Sequence, residues 1–213
     1  MGNAHLMLFV CLAAPLSMML FVFRGRSRAI LGFLLAGLFL CLFAGELNGL
    51  IRDGTGQSVR FLTVNVTPIV EELLKALPVV FAAFLLGPDR QLLLEGAIAV
   101  GVGFATMENA CLLLQADGAL SVGLTLARGF GAGMMHGVST LAVGYSVSVV
   151  REDRKVSFSG TVAALSAAVI YHSIYNIMVQ SAHPALGIVL PAVTFFPLVL
   201  AMRRRIDRSP SES

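Results

Sequence analysis

The chain is a succession of long apolar runs separated by short polar breaks. A membrane-spanning helix needs about 20 mostly apolar residues. Seven runs approach or exceed that length, at 5–23, 29–51, 61–86, 92–115, 125–150, 158–180 and 184–202. The pattern predicts an all-α polytopic membrane protein with seven transmembrane helices. Gln115, Ala116, Asp117 and Gly118 join the fourth and fifth runs, and the stretch up to Leu124 suits the membrane interface. No internal repeat, linker or second domain is visible. One transmembrane domain is expected over 1–202, followed by a short basic and polar cytoplasmic tail over 203–213.

Composition sharpens this picture. Hydrophobic residues make up 57% of the 213 and charged residues 13%. Soluble domains have about 45–50% apolar and about 25% charged residues. A disordered chain, a soluble enzyme and a nucleic-acid module are all excluded on those numbers. The formal charge of +3 comes from short basic clusters between apolar runs, so it does not indicate a nucleic-acid partner. Cys11, Cys41 and Cys111 each sit in an apolar run with neither a C-x-x-C nor a zinc spacing,.

Charge also orients the chain, because Lys and Arg concentrate in cytoplasmic loops. Eleven of the fifteen basic residues fall in one set of alternate connections, around Arg24–Arg28, Arg90, Arg151–Lys155 and Arg203–Arg208. The opposite set holds only Arg52 and Arg60. The N-terminus is therefore expected outside and the C-terminus in the cytoplasm. The first run follows no basic segment, so it is expected to persist as a span and not to be cleaved as a signal peptide.

Polar residues interrupt the spans where they are costly. A central charge costs about 2.5–3.5 kcal/mol on insertion scales, and such groups usually serve function. The third run carries Glu71, Glu72 and Lys75; the fourth, Glu108 and Asn109; the fifth, Arg128, His136 and Thr140; the sixth, His172 and Asn176. At 1.5 Å rise per residue, Glu71 and Glu72 lie about 15 Å from the outer end, Glu108 about 10 Å, His136 about 17 Å and His172 about 12 Å. Four helices thus place polar groups in one layer of the outer leaflet. This predicts a single enclosed polar chamber that water reaches from outside.

Spacing suggests partners within that layer. Glu71 and Lys75 are i, i+4 and can pair. Thr140 and Asn176 each lie one turn beyond a histidine and can orient it. Pro68 weakens the helix ladder just before the glutamates. Plainer readings stand beside these. A Glu71–Lys75 pair is as readily structural as functional. Arg128 is expected to snorkel to the outer interface, Glu46 to sit at that interface, and Arg90 and Glu95 to be solvated. The glycines at 96, 101, 103, 129, 131 and 133 are read as helix-packing contacts, not as a phosphate loop.

Adjacent carboxylates in a low dielectric do not readily ionise together, which leaves one as a general acid or base near neutral pH. A glutamate that takes a proton from water, with histidines that stabilise the oxyanion or protonate the leaving nitrogen, suits amide hydrolysis. A zinc site is the alternative, with His136, His172 and Glu108 as ligands. The absence of H-E-x-x-H weighs against it, so no cofactor is favoured.

Glu71-Glu72-x-x-Lys75, Phe104-x-x-x-Glu108-Asn109, His136 after Arg128, and His172-x-x-Tyr175-Asn176 resemble, in order, the motifs of the PrsW family of intramembrane proteases. The resemblance covers about residues 60–180. These proteins are similar in turn to CAAX prenyl proteases and bacteriocin-processing proteases. The resemblance implies a multi-pass protein of the cell membrane, expected to be bacterial. It implies Glu71, Glu72, Glu108, His136 and His172 as catalytic residues. It also implies a single-pass membrane protein substrate of the anti-sigma-factor kind, cut near its extracytoplasmic side. Many relatives carry Pro-Gly before the fifth-span histidine, where this chain has Met134-Met135, so a difference in local helix geometry is expected.

The resulting expectation is a glutamic-type intramembrane peptidase. Glu72 is taken as the base, with Glu71 almost interchangeable. Lys75, Asn109, Thr140 and Asn176 support. A proton-coupled transporter and a non-catalytic membrane scaffold are the rival readings.

Overall fold

A computed structural model describes residues 3–117, 120–152, 157–181 and 186–207. Among these there are helices and no strands. They are α1 (Asn3–Val22), α2 (Gly25–Thr55), α3 (Val59–Asn65), α4 (Thr67–Phe81), a π-helical segment (Ala82–Leu86), α5 (Arg90–Gln115), α6 (Val122–Glu152), α7 (Ser157–Val179) and α8 (Leu186–Asp207). Gly118, Arg154, Lys155 and the tail beyond Asp207 lie outside the described residues.

Among the described residues, five helices are long and apolar enough to cross a membrane: α1, α2, α5, α6 and α7. The last expected span is apolar over Leu186–Ala201, a shorter stretch. Their outward faces are greasy: Phe21 is 90% exposed, and Phe39, Phe84, Phe130 and Phe196 are also exposed. Exposed phenylalanines in this number suit lipid contact and not water. The protein is an all-α, multi-pass integral membrane protein.

The third expected span departs from a single helix. It divides at Val66 into α3 and α4. Pro68 is the cause, since it has no N–H and its ring collides with the carbonyl four residues back. Proline is tolerated in a first turn, so the chain restarts there. Val66 accepts from the amides of Ile69 and Val70.

Three of the four expected basic connections meet at one end of the bundle. Arg26 pairs with Glu95 at 2.7 Å and with Asp89 at 3.6 Å. Arg151 donates to the Pro88 carbonyl at 2.6 Å. Arg90 lies over the Tyr145 ring. Glu95 and Arg90, expected to be solvated, are thus tied into this end.

The centre is α5, packed between α2 and α6. Two close approaches allow this. A Cβ on Gly103 would meet the Leu34 carbonyl of α2, and one on Gly101 the His136 carbonyl of α6. The glycine-packing expectation holds at 96, 101, 103 and 131, while Gly129 and Gly133 face open space. Close backbone contact brings α6 within side-chain reach of α4 and α7, and Phe104, Met107 and Met135 are fully buried among them. α6 runs unbroken through Met134, Met135 and His136.

Candidate active site

The layer expected from depth exists as one cluster. Glu71, Glu72, Lys75, His136 and His172 are all buried, and Lys75 is the largest fully buried side chain described. α4 supplies both glutamates and the lysine, α5 Glu108, α6 His136 and Arg128, and α7 His172. The helix restart at Val66 sets the phase of α4, so that 71, 72 and 75 turn inward while Ile69, Leu73 and Leu77 face out.

The centre of the network is Glu72. Its Oε1 accepts from Lys75 Nζ at 2.6 Å and from His172 Nδ1 at 2.8 Å. The ion pair is therefore Glu72–Lys75, and the expected Glu71–Lys75 pair is replaced by this i, i+3 contact. Lys75 Nζ also lies 2.7 Å from His136 Nδ1. An ammonium carries donors only, so Nδ1 accepts and the neutral imidazole holds its proton on Nε2. That N–H points at Glu108 Oε2, 2.9 Å away. Glu108 Oε1 in turn accepts from Arg128 Nη2 at 3.3 Å. Arg128 pairs with the site and does not simply snorkel. The two imidazoles stand edge to face, with centroids 4.9 Å apart.

Glu71 is different. No hydrogen bond to its carboxylate occurs among the described residues. Its Oε2, like Glu72 Oε2, is buried without a partner, but it alone faces His172 Nε2, 3.8 Å away. With Nδ1–H of His172 committed to Glu72, Nε2 presents its lone pair to this gap. Buried polar atoms are rarely left unpaired, and a separation beyond direct bonding suits a bridging water. The cluster opens to its surroundings through Glu108 and Arg128, whose side chains are each 24% exposed.

The supporting residues behave differently from expectation. Thr140 Oγ1 donates to the His136 carbonyl at 2.8 Å, not to its ring. Asn176 Nδ2 donates to the Thr63 carbonyl at 2.9 Å and so ties α7 to the end of α3. Asn109 Oδ1 is buried without a partner. Spacing on one helix showed that Thr140 and Asn176 share a face with the histidines, but backbone carbonyls are competing acceptors.

A metal can be tested against this donor set. Glu71, His136 and His172 each offer a ligand atom within 4.8 Å of the others. Two histidines and a glutamate form a known catalytic zinc set, and each histidine has a carboxylate on another ring nitrogen, as ligating histidines do. The donor chemistry therefore fits a metal ion. The third donor is Glu71, where the sequence pointed to Glu108, since Glu108 is occupied by His136 and Arg128. Both nitrogens of His136 are already engaged, by Lys75 and by Glu108.

Four helices thus hold a buried constellation of carboxylates and histidines inside a multi-pass membrane bundle. The family described as "PrsW family intramembrane metalloprotease" matches residues 14–202. The chain belongs to this family, and it is an intramembrane protease. Neither the curated proteins nor the solved structures contain a match.

Proposed function

We propose that the protein hydrolyses peptide bonds of membrane-anchored proteins, with Glu71 as the general base. The observation that carries this is the partnerless Glu71 Oε2 facing His172 Nε2 across 3.8 Å. A water in that gap donates one proton toward each group. Glu71 takes a proton as the water oxygen bonds to the scissile carbonyl carbon, and it returns the proton to the leaving nitrogen as the C–N bond breaks. The positive charges of Lys75 and Arg128 flank the developing oxyanion, and in a dry site such charges act strongly. Glu72 fixes His172 and Lys75, and Glu108 fixes His136 and Arg128. Glu72 was the base expected from sequence, but its Oε1 is already shared by two donors.

By the charge asymmetry the chamber lies toward the outside. The proposed substrate is accordingly a single-pass protein cut near its extracytoplasmic boundary. A second reading rests on the Glu71, His136 and His172 set. These three would hold zinc, which when bound acidifies water and polarises a carbonyl. In that reading Glu72 and Glu108 orient the two histidines.

The test compares new protein N-termini in membranes from cells expressing wild type, Glu71→Gln or Glu72→Gln at equal levels. Cuts near the outer boundary of single-pass proteins should appear with wild type and vanish with Glu71→Gln. Identical N-termini in wild type and Glu71→Gln, under conditions of envelope stress, would overturn the proposal and favour a scaffold.

A further inference from the structure

A cavity of about 390 Å³ opens where α5, α6, α7 and α8 converge, at the end of the bundle that the charge asymmetry assigns to the outside,. Its walls are apolar, with Leu112, Leu124, Val179 and Ile188 among them. Three polar side chains line it, Gln115, Arg128 and Tyr175. Gln115 Nε2 is engaged with His5 Nε2 at 3.3 Å, whereas Arg128 and Tyr175 carry unused hydrogen-bonding groups. Arg128 Nε is buried without a partner. Tyr175 is 2% exposed, and its hydroxyl has no hydrogen-bond partner among the described residues. Arg128 also reaches Glu108 at 3.3 Å, on the side where the catalytic cluster is open. The cavity and the cluster therefore share a wall.

We infer that this cavity is a substrate subsite. It takes a bulky apolar side chain next to the scissile bond, while Arg128 and Tyr175 donate to carbonyl oxygens of the same peptide segment. The inference rests on the peptidase reading above and names its sequence preference. The volume lies within the range of small ligand pockets. Donors from Arg128 and Tyr175 beside mostly hydrocarbon walls match a peptide segment with an apolar side chain. Glu108 already occupies one nitrogen of Arg128, so its charge is partly met, and a neutral carbonyl suits the remaining Nε better than a second anion.

The test uses the full chain in lipid nanodiscs. The probes are synthetic single-span peptides that differ at one outer-boundary position, bearing Gly, Ala, Leu or Phe. Wild type should cut the Leu and Phe peptides about tenfold or more faster than the Gly peptide, a selectivity that apolar pockets commonly reach. Ala116→Phe and Ala127→Phe fill the cavity from just past the C-terminus of α5 and from α6. Each should shrink the Leu-to-Gly ratio toward one. Tyr175→Phe should raise KM about three- to tenfold for every peptide, as for one lost hydrogen bond. An unchanged ratio in both filled variants, with cleavage intact, overturns the subsite.

Capture is read separately from cutting. Glu71→Gln protein carrying a benzophenone side chain at Leu124 should crosslink the Leu peptide in preference to the Gly peptide. If wild type cuts no peptide but this capture holds, the subsite stands and the peptidase reading falls. Absence of preferential capture overturns the subsite. A lipid that copurifies with wild type and is lost from both filled variants, while peptide preference stays the same, also overturns it.

Discussion

Lys75 is a fully buried ammonium 2.6 Å from a fully buried carboxylate, and the pair is the keystone of the site. Consider Lys75→Met. The methionine preserves most of the apolar stem and its packing against Phe104, but it removes the charge. Glu72 then remains buried, with His172 as its sole hydrogen-bond donor. Removal of one partner from a buried ion pair costs about 3–5 kcal/mol. Loss of the contact to His136 Nδ1 adds the net worth of one hydrogen bond, about 0.5–1.5 kcal/mol. The single variant should therefore lose about 5 kcal/mol. Glu72→Gln added to Lys75→Met should recover most of it. The amide oxygen still accepts from His172, no buried charge is left over, and neutral replacement of a buried pair is often harmless. The assay is reversible unfolding in mixed micelles, followed by far-UV circular dichroism, for wild type, both single variants and the double variant. A coupling energy near 3 kcal/mol is expected from the same breaking cost. If Lys75→Met costs less than about 0.5 kcal/mol, the level of an exposed pair, or if the double variant is no more stable than Lys75→Met, the pair is not the charge clamp described here.

Glu71→Gln should abolish cleavage, by about 10³-fold or more in kcat for loss of a general base, while unfolding stays close to wild type; single-turnover kinetics with a synthetic single-span peptide would check both. Arg128→Met should release Glu108 and lower kcat about tenfold while the chain stays folded, as expected for a flanking charge; a rise in KM with kcat unchanged would remove its electrostatic role. Gly103→Ala should push α2 from α5 and cost about 1–3 kcal/mol in the same micelle assay, the usual range for overpacking. Protein purified through a chelator should retain its cleavage rate and carry no stoichiometric zinc by elemental analysis. Activity lost to the chelator and restored only by zinc would move the chemistry to the metal reading.

The sequence and the structure divide the problem along the membrane normal. Depth was legible residue by residue. The rise of a helix is constant, so counting from the end of an apolar run places Glu71, Glu72, Glu108, His136 and His172 in one layer without knowledge of the fold. The all-α multi-pass class followed from run length in the same way, although five helices and not seven are long and apolar enough to span among the described residues, and the glycine contacts at 101 and 103 followed from small residues in a span. Pro68 flagged a weak point in the third run. What the sequence did not reveal is that Asn176 of α7 binds the Thr63 carbonyl beside the break.

Lateral pairing was decided only by tertiary structure. Sequence spacing put Lys75 opposite Glu71, because i, i+4 neighbours stack on an isolated helix. In the bundle, His136 and His172 approach from α6 and α7 and draw Lys75 and Glu72 together. Arg128 looked like an interfacial cation until α5 brought Glu108 within 3.3 Å. Thr140 and Asn176 turned from the imidazoles to backbone carbonyls. Which glutamate is left free, and so which is proposed as the base, follows from those pairings. Axial position is a local property of one helix. Partnership depends on how far each helix is rotated and how closely it crosses the next, and here that is set by backbone contact at Gly101 and Gly103, which no single span contains.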